Sequence, residues 1–442
     1  MTTETGSQRY ASYIDIARGK VSRRIFADPD IYRVERDRIF ARCWLYLAHE
    51  SQIAKPGDFM LVKMGEESVI VCRDRASKIG AFLNTCRHRG NAVCRSDMGN
   101  ASAFVCSYHG WTYDTSGRLT GVPGAREYYH DRFDQAKSGL PPVAQVDSYK
   151  GLIFGTFDPE APPLEKYLGD MRWGLDLLLD QGDLVAVPGV ARWSMESDWK
   201  FAADNAIGDM YHGLFTHRSA FLVGHAGAGG RSANSNRLRP RQRPGFTLIT
   251  EYGHGLTAND IEDDSFNHDS PLAAWRRNPA VQQRLGTLRM RVDRSNMNVF
   301  PNLFVNSGSR ELMLRNPLGP SKIEIWKTVL VDRNSLPEVR REQIRASNRH
   351  FGPAGMFEQD DGENWDQSTA GAKGLVAGRY DLSYEMALGE GEIVHDDQGP
   401  PRINSVTNEH AQLWLYRCWA EYMDAESWPA LRRDHSVPSG SV

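Results

Sequence analysis

The chain has 442 residues, enough to bury a sizeable core and, on length, to form two domains. Its 53 basic and 56 acidic residues leave a net charge of −3, which gives no reason to expect nucleic-acid binding. No apolar run reaches the roughly 18 residues of a membrane span, and the polar start, Met1 to Gln8, lacks the apolar core of a secretory signal.

From about Asp58 to Phe157 the pattern is short β-runs between Gly-containing turns: Phe59–Met64, Ser68–Cys72, Phe104–Cys106 and Gly151–Phe157. This predicts a small all-β domain. Asp158-Pro-Glu-Ala-Pro-Pro163 is a Pro-rich boundary. Beyond it, apolar spacing predicts helices over Leu164 to Leu179 and Trp199 to Leu214. Gly224 to Arg243, rich in Gly, Ser, Asn and Arg, reads as a long loop, either plain surface or a lid over a substrate channel. Strand-like runs return at Leu312–Arg315 and Lys322–Val331, and helical patterns at Pro337 to His350 and Glu409 to Met423. The fold class is α+β: an N-terminal all-β domain over 41–158, a helix-covered antiparallel sheet over 159–442, and a segment over 1–40 expected to pack on the second domain. No internal repeat is evident.

Two cysteine–histidine pairs stand in Gly-bearing loops, Cys86-Arg-His88-Arg-Gly90 and Cys106-Ser-Tyr-His109-Gly110, with seventeen residues between His88 and Cys106. Two thiolates on one iron and two neutral imidazoles on the other make a Rieske [2Fe–2S] cluster, whose potential lies above that of an all-cysteine cluster because imidazole carries no charge. Zinc is the competing reading. A zinc finger, however, groups its cysteines in one half and its histidines in the other, whereas here each half supplies one of each. The other cysteines, Cys43, Cys72, Cys94 and Cys418, show no disulfide framework and read as reduced thiols of a cytoplasmic protein.

The second signal is Asp204-Asn205-Ala206-Ile207-Gly208-Asp209-Met210-Tyr211-His212-Gly213-Leu214-Phe215-Thr216-His217. On a regular helix, at about 100° per residue, Asn205, Asp209 and His212 share one face and His217 falls off it, with Gly213 a place to bend. Two His and one distant carboxylate can form the facial triad of a non-haem ferrous site. Alone, such a His pair near a helix end is more often solvated or hydrogen-bonded than metal-bound.

Together these segments resemble the Rieske non-haem iron aromatic-ring-hydroxylating dioxygenases, in their large (α) subunit. The resemblance runs from Arg42-Cys43-Trp44-Leu45-Tyr46 through both cluster loops, Ser148–Gly155 and Asn205–His217 to Phe351–Trp365. It is nearest the branch that acts on biphenyl, naphthalene, larger polycyclic arenes and phenylpropionate. It implies a catalytic domain of the START/Bet v 1-like kind. It also implies one [2Fe–2S] cluster on Cys86, His88, Cys106 and His109, and one mononuclear Fe(II) on His212, His217 and Asp361 of the Asp360-Asp361 pair. Asp209 would bridge His212 to a cluster histidine, His109, of the adjacent subunit. Asn205 would lie near the open iron position. Ala206, Met210, Gly213, Asn296, Phe351 and Phe357 would line the substrate pocket.

The activity implied is of the EC 1.14.12 type: both atoms of O2 added to an arene as a cis-dihydrodiol, with electrons from NADH through a reductase and a ferredoxin. A small β subunit and an α3β3 (or α3) assembly are implied as partners. Arg294, six residues before Phe300-Pro301-Asn302, would anchor a substrate carboxylate if buried, or else point to solvent or pair with Asp293. Arg310 and Arg315 are similar candidates. Two alternatives stay open at this point: a Rieske monooxygenase or aromatic-acid hydroxylase, and an electron-transfer Rieske protein without oxygenase activity.

Overall fold

The structure, a computed structural model, describes residues 9–130, 133–223, 244–260 and 270–431. The Gly224 to Arg243 segment, read above as a loop or lid, lies outside the described residues. The chain divides into two units, Phe40–Leu164 and Met1–Ile39 with Glu165–Val442.

The 40–164 unit is all β, as the short β-runs between Gly-containing turns predict. A four-stranded antiparallel sheet orders Ile79–Leu83, Glu67–Arg73, Asp58–Met64 and Met98–Asn100. A second sheet orders Leu119–Gly121, Thr112–Asp114 and Ala103–Val105, and a third Gln145–Tyr149, Leu152–Thr156 and Leu45–His49. Phe59, Ile70, Phe104, Trp111 and Tyr113 form the core, and the thiols of Cys86 and Cys106 lie at its edge, buried.

The larger unit is built on a ten-stranded antiparallel sheet. Along it run Leu184–Ala186, Ile323–Asp332, Glu311–Pro317, Leu303–Asn306, Val292–Val299, Gly255–Asp260, Gly245–Ile249, Arg402–Ile403 and Ile393–Val394, with Ala191–Met195 also paired to Ile323–Asp332. The α+β class is therefore as expected. The helices over Pro337–His350 and His410–Asp424 match the sequence pattern.

Two predicted helices are broken. Leu164 to Leu179 splits at Gly169 (φ +47°), where a Cβ would collide with the Glu251 carboxylate. Trp199 to Leu214 ends as a helix at Gly208. That residue has φ +146°, and a Cβ there would lie 1.8 Å from Thr257 Oγ1. A residue with a side chain could adopt neither the backbone nor the close approach.

The surviving Trp199–Gly208 helix is capped by Asp198, which accepts the Lys200 N–H at 2.8 Å. It buries Trp199, Ala202, Ala203 and Ala206, at helical spacing, and packs on the sheet. The Pro29–Glu35 helix joins the same core: buried Glu35 lies 2.6 Å from Lys200 Nζ and accepts the indole N–H of both Trp199 and Trp419 at 2.8 Å. No helix among the described residues is long and apolar enough to cross a membrane.

Candidate metal centres and substrate cavity

The two loops of the small unit are copies of one turn. Gly90 donates to the Cys86 carbonyl and Gly110 to the Cys106 carbonyl, each at 2.9 Å and each glycine at φ +73°. The tight turns bring the rings together: His88 and His109 have centroids 4.4 Å apart, and His88 stacks on Trp111 at 5.1 Å. His88 Nδ1 is buried with no hydrogen-bond partner. Arg87 N–H donates to the Tyr113 hydroxyl at 3.0 Å, which leaves that hydroxyl to donate to Cys86 Sγ at 3.2 Å. Burial alone would raise the Cys106 thiol. Hydrogen bonds from the Tyr108 main chain and the Asn91 amide outweigh it and hold the thiol below its usual range. Two buried sulfurs that each meet a hydrogen-bonding group, with an orphaned buried imidazole nitrogen beside them, are the donor set a [2Fe–2S] cluster fits.

In the larger unit, His212, His217 and Asp361 converge. His212 Nε2 lies 3.2 Å from His217 Nε2 and 3.2 Å from Asp361 Oδ1, and His217 Nε2 lies 3.4 Å from the same oxygen. Ligand atoms at about 2.0–2.2 Å from one ion are spaced in this way. Among the described residues this is the one three-member group of His, Cys, Asp or Glu close enough to hold an ion. Asp361 Oδ1 is buried and has no hydrogen-bond partner. Both imidazoles turn Nδ1 outward, His212 to Asp209 Oδ2 at 3.1 Å and His217 to Asp360 Oδ2 at 3.3 Å. In the neutral, ligating form of each ring, that carboxylate would hold the proton on Nδ1 and leave the lone pair on Nε2.

Burial alone would lower His212. The charge of Asp361 and the Asp209 hydrogen bond override it and hold the ring well above the usual histidine range. His217 is held below that range by burial, despite Asp361. Asp209 is held low because its bonds from His212 outweigh the opposing effect of burial. The carboxylates of Asp361 and Asp209 thus favour positive charge at His212. These residues fit a mononuclear iron.

The shared helical face expected of Asn205, Asp209 and His212 is not what joins them, because the helix stops at Gly208. Asp209 instead begins a turn, accepting the main-chain N–H of Tyr211 at 3.1 Å and of His212 at 3.2 Å. His212 precedes the short Gly213–Thr216 helix and His217 ends it. Asn205 Nδ2 remains 3.5 Å from His212 Nδ1. Asp361 comes from a 17-residue helix, Met356–Ala372, that no sequence pattern announced.

A cavity of about 1000 Å³ opens on the triad. Asn205, Asp209, Met210, Gly213, Arg294, Asn296, Phe351 and Phe357 line it. Ala206 does not: it is fully buried, and one residue further round the helix it turns to the core. Phe357 lies 4.4 Å from the His217 ring, and Phe351 packs edge-on against Phe304 at 5.7 Å, so the wall beside the triad is aromatic. Sequence reading missed Phe304, Asn306 and Gln343, which also line the cavity; their strand and helix positions carry no motif.

The buried anion anchor is not what Arg294 provides. Its side chain is 47% exposed and lies 3.5 Å from Asp293. Arg310 and Arg315 are buried but are not lining residues. Arg310 donates to Gln181 Oε1 at 2.9 Å, and Arg315 donates to the Ala202 carbonyl between the rings of Phe304 and Trp365.

A Rieske β domain and a ring-bearing cavity at a His–His–Asp group describe an oxygenase of the ring-hydroxylating class. Comparison with known proteins agrees. Residues 43–149 match the Rieske [2Fe-2S] domain, and 184–425 the ring-hydroxylating alpha subunit catalytic domain. The chain is 38% identical to the biphenyl dioxygenase alpha subunit of Paraburkholderia xenovorans (strain LB400), covering 95% of this chain and 94% of that one. It is 36% identical to a benzene 1,2-dioxygenase alpha subunit of Pseudomonas putida, covering 94% and 93%. The crystal structure of naphthalene 1,2-dioxygenase with indole bound superimposes with a TM-score of 0.87 at 30% identity, over 95% of each chain. The chain belongs to the Rieske aromatic-ring-hydroxylating dioxygenase α subunits, in the biphenyl, benzene and naphthalene dioxygenase branch.

Proposed function

We propose that this chain is the catalytic subunit of a multicomponent arene dioxygenase. In it His212, His217 and Asp361 hold the mononuclear Fe(II), and Cys86, His88, Cys106 and His109 hold the cluster. The observation that carries the reading is the triangle of two imidazole nitrogens and one orphaned carboxylate oxygen at the end of an aromatic cavity. When bound, the cluster supplies single electrons and the iron supplies reductive activation of O2, so that both oxygen atoms add to one face of a ring as a cis-dihydrodiol.

The chain's own residues do the rest. Asp209 and Asp360 orient the two imidazoles and keep their protons on Nδ1. Phe304, Phe351 and Phe357 hold an aryl ring by stacking and exclude water from the reacting end. Asn205 offers an amide beside His212.

In the assembly we propose, a ferredoxin and a reductase deliver electrons from NADH. The α chains form an α3β3 hexamer with a small β subunit, or an α3 ring without it, and in either Asp209 faces His109 of the next α chain. The relatives' designations as alpha subunits and as a large oxygenase component support a multisubunit system. A reducing cytoplasm suits Cys86 and Cys106, which must stay thiolates to act as ligands. The test is metal content with product analysis. Iron at about three per chain, with two labelled atoms from 18O2 in one product, is expected. About two irons and no product would indicate an electron carrier, and one labelled atom a monooxygenase.

A further inference from the structure

The cavity is not uniformly apolar. On the strand that carries Phe304, the tip joining Leu303–Asn306 to Glu311–Pro317 borders it with Asn306, Ser307 and Ser309. Opposite Asn306, in register on the neighbouring strand, stands Asn296. The orientation of both amides follows from one main-chain group. Ser309 N–H donates to Asn306 at 2.7 Å, so the Asn306 atom there is the carbonyl oxygen Oδ1. The other end of that amide is then the NH2 group, and it donates at 2.7 Å to Asn296, whose facing atom must be Oδ1. Asn296 is left with its own NH2 group. That nitrogen has no partner among the described residues, and it is not sealed from solvent.

We infer that Asn296 presents a fixed hydrogen-bond donor to the cavity, and that this oxygenase favours arenes carrying a hydrogen-bond acceptor, such as a ring ketone, over plain hydrocarbons of the same shape. The inference rests on the cavity being the substrate site, as proposed above. A hydrocarbon strips water from the Asn296 amide and returns nothing, whereas an acceptor replaces the lost bond. Asn306 is a positioning residue: its carbonyl is committed to Ser309, so its amide can only donate to Asn296. Replacing Asn306 by aspartate puts an acceptor where that donor was. Asn296 must then turn its NH2 group toward residue 306 and its oxygen toward the cavity.

The test uses three tricyclic probes of nearly one shape: fluorene (no polar group), 9-fluorenone (acceptor) and carbazole (N–H donor). Affinity for the purified, cluster- and iron-loaded oxygenase is measured by equilibrium dialysis. The parent enzyme should bind fluorenone about 3- to 10-fold more tightly than fluorene, the equivalent of one neutral hydrogen bond. Asn296→Leu should bring that ratio to about one. Asn306→Asp should reverse the preference, so that carbazole is bound more tightly than fluorene and the fluorenone advantage is gone. A parent ratio near one, or an Asn306→Asp enzyme that still prefers fluorenone, overturns the inference. If Asn306→Asp does not fold, the parent and Asn296→Leu ratios decide alone. Incorporation of labelled O2 into fluorene by the parent enzyme is scored separately. Its failure would remove the dioxygenase reading while the dialysis ratios still decide the amide.

Discussion

Asp209 holds His212 twice, through the ring Nδ1 at 3.1 Å and the main-chain N–H at 3.2 Å. One carboxylate therefore fixes both the tautomer of the imidazole and the turn that delivers it. Asp209→Ala should lower turnover by about 10–100-fold or more, because a residue that orients a metal ligand has been lost. The Rieske absorption spectrum should be unchanged, since the proposed cluster ligands, Cys86, His88, Cys106 and His109, lie in the other unit. Steady-state turnover with iron content measured on the same sample checks this. Turnover equal to the parent at full iron loading would remove Asp209 from the mechanism.

Tyr113 should set the cluster potential. Its hydroxyl accepts from Arg87 and donates to Cys86 Sγ, which stabilises negative charge on that sulfur. Tyr113→Phe should lower the midpoint potential by an amount on the order of tens of millivolts. Redox titration followed by electron paramagnetic resonance reads the shift. An unshifted midpoint would mean that the hydroxyl does not bond the sulfur.

A pH dependence is expected from Asp204. It is buried in the larger unit, where two tyrosine hydroxyls, Tyr384 and Tyr416, each donate to it at 2.6 Å. Burial pushes its pKa up to about 7, against the bonds from those tyrosines. In the unfolded chain the proton leaves near pH ~3.9. Between those values the folded state holds the extra proton, so stability from this group is complete below about pH 4 and is lost as pH rises to about 7. Asp204→Asn removes that slope. The melting temperature of the variant relative to the parent should climb between about pH 4 and about pH 7, then level off. A constant difference across that range would show that Asp204 ionises normally.

The Glu35–Lys200 pair should be costly to break. Both side chains are essentially inaccessible, and Lys200 also lies 3.0 Å from Asp198. Lys200→Met leaves two buried carboxylates without their cation and should destabilise the protein by about 3–5 kcal/mol. Denaturant unfolding of the variant and of a Lys200→Met, Glu35→Gln double variant measures it. The double variant should recover part of the loss.

Arg294→Leu should change the ratio of specificity constants for phenylpropionate against biphenyl by less than about 5-fold, because a half-exposed guanidinium beside Asp293 contributes as a surface charge does. A drop of about 30-fold or more, the range of a truncated buried pair, would restore Arg294 as an anion anchor.

Much of this was legible in the sequence. The β-runs of the small unit are short and bounded by Gly-containing turns, and the paired Cys–His spacing carries its own chemistry, so neither depends on distant contacts. The Pro337–His350 helix was readable for the same local reason. The Met356–Ala372 helix was not: Gly362 and Gly371 interrupt it, and its buried positions include Glu358, Asp361 and Thr369, so no apolar stripe marks it. The break at Gly208 was hidden because it depends on Thr257, on a strand far along the chain. The amide order of Asn296 and Asn306 was hidden too, since it follows from strand register and one main-chain N–H.

The glycine at 208 also limits how the enzyme can be redesigned. Even with Thr257 shortened, its φ of +146° would still exclude ordinary side chains, so no single compensating change frees the position. Gly213 is the opposite case: its φ is not positive, and a Cβ there meets nothing within 4 Å. A combinatorial library aimed at new arenes can therefore vary 210, 213, 296, 351 and 357 while holding 208 invariant. A selection that returns any residue but glycine at 208 should return inactive protein with it.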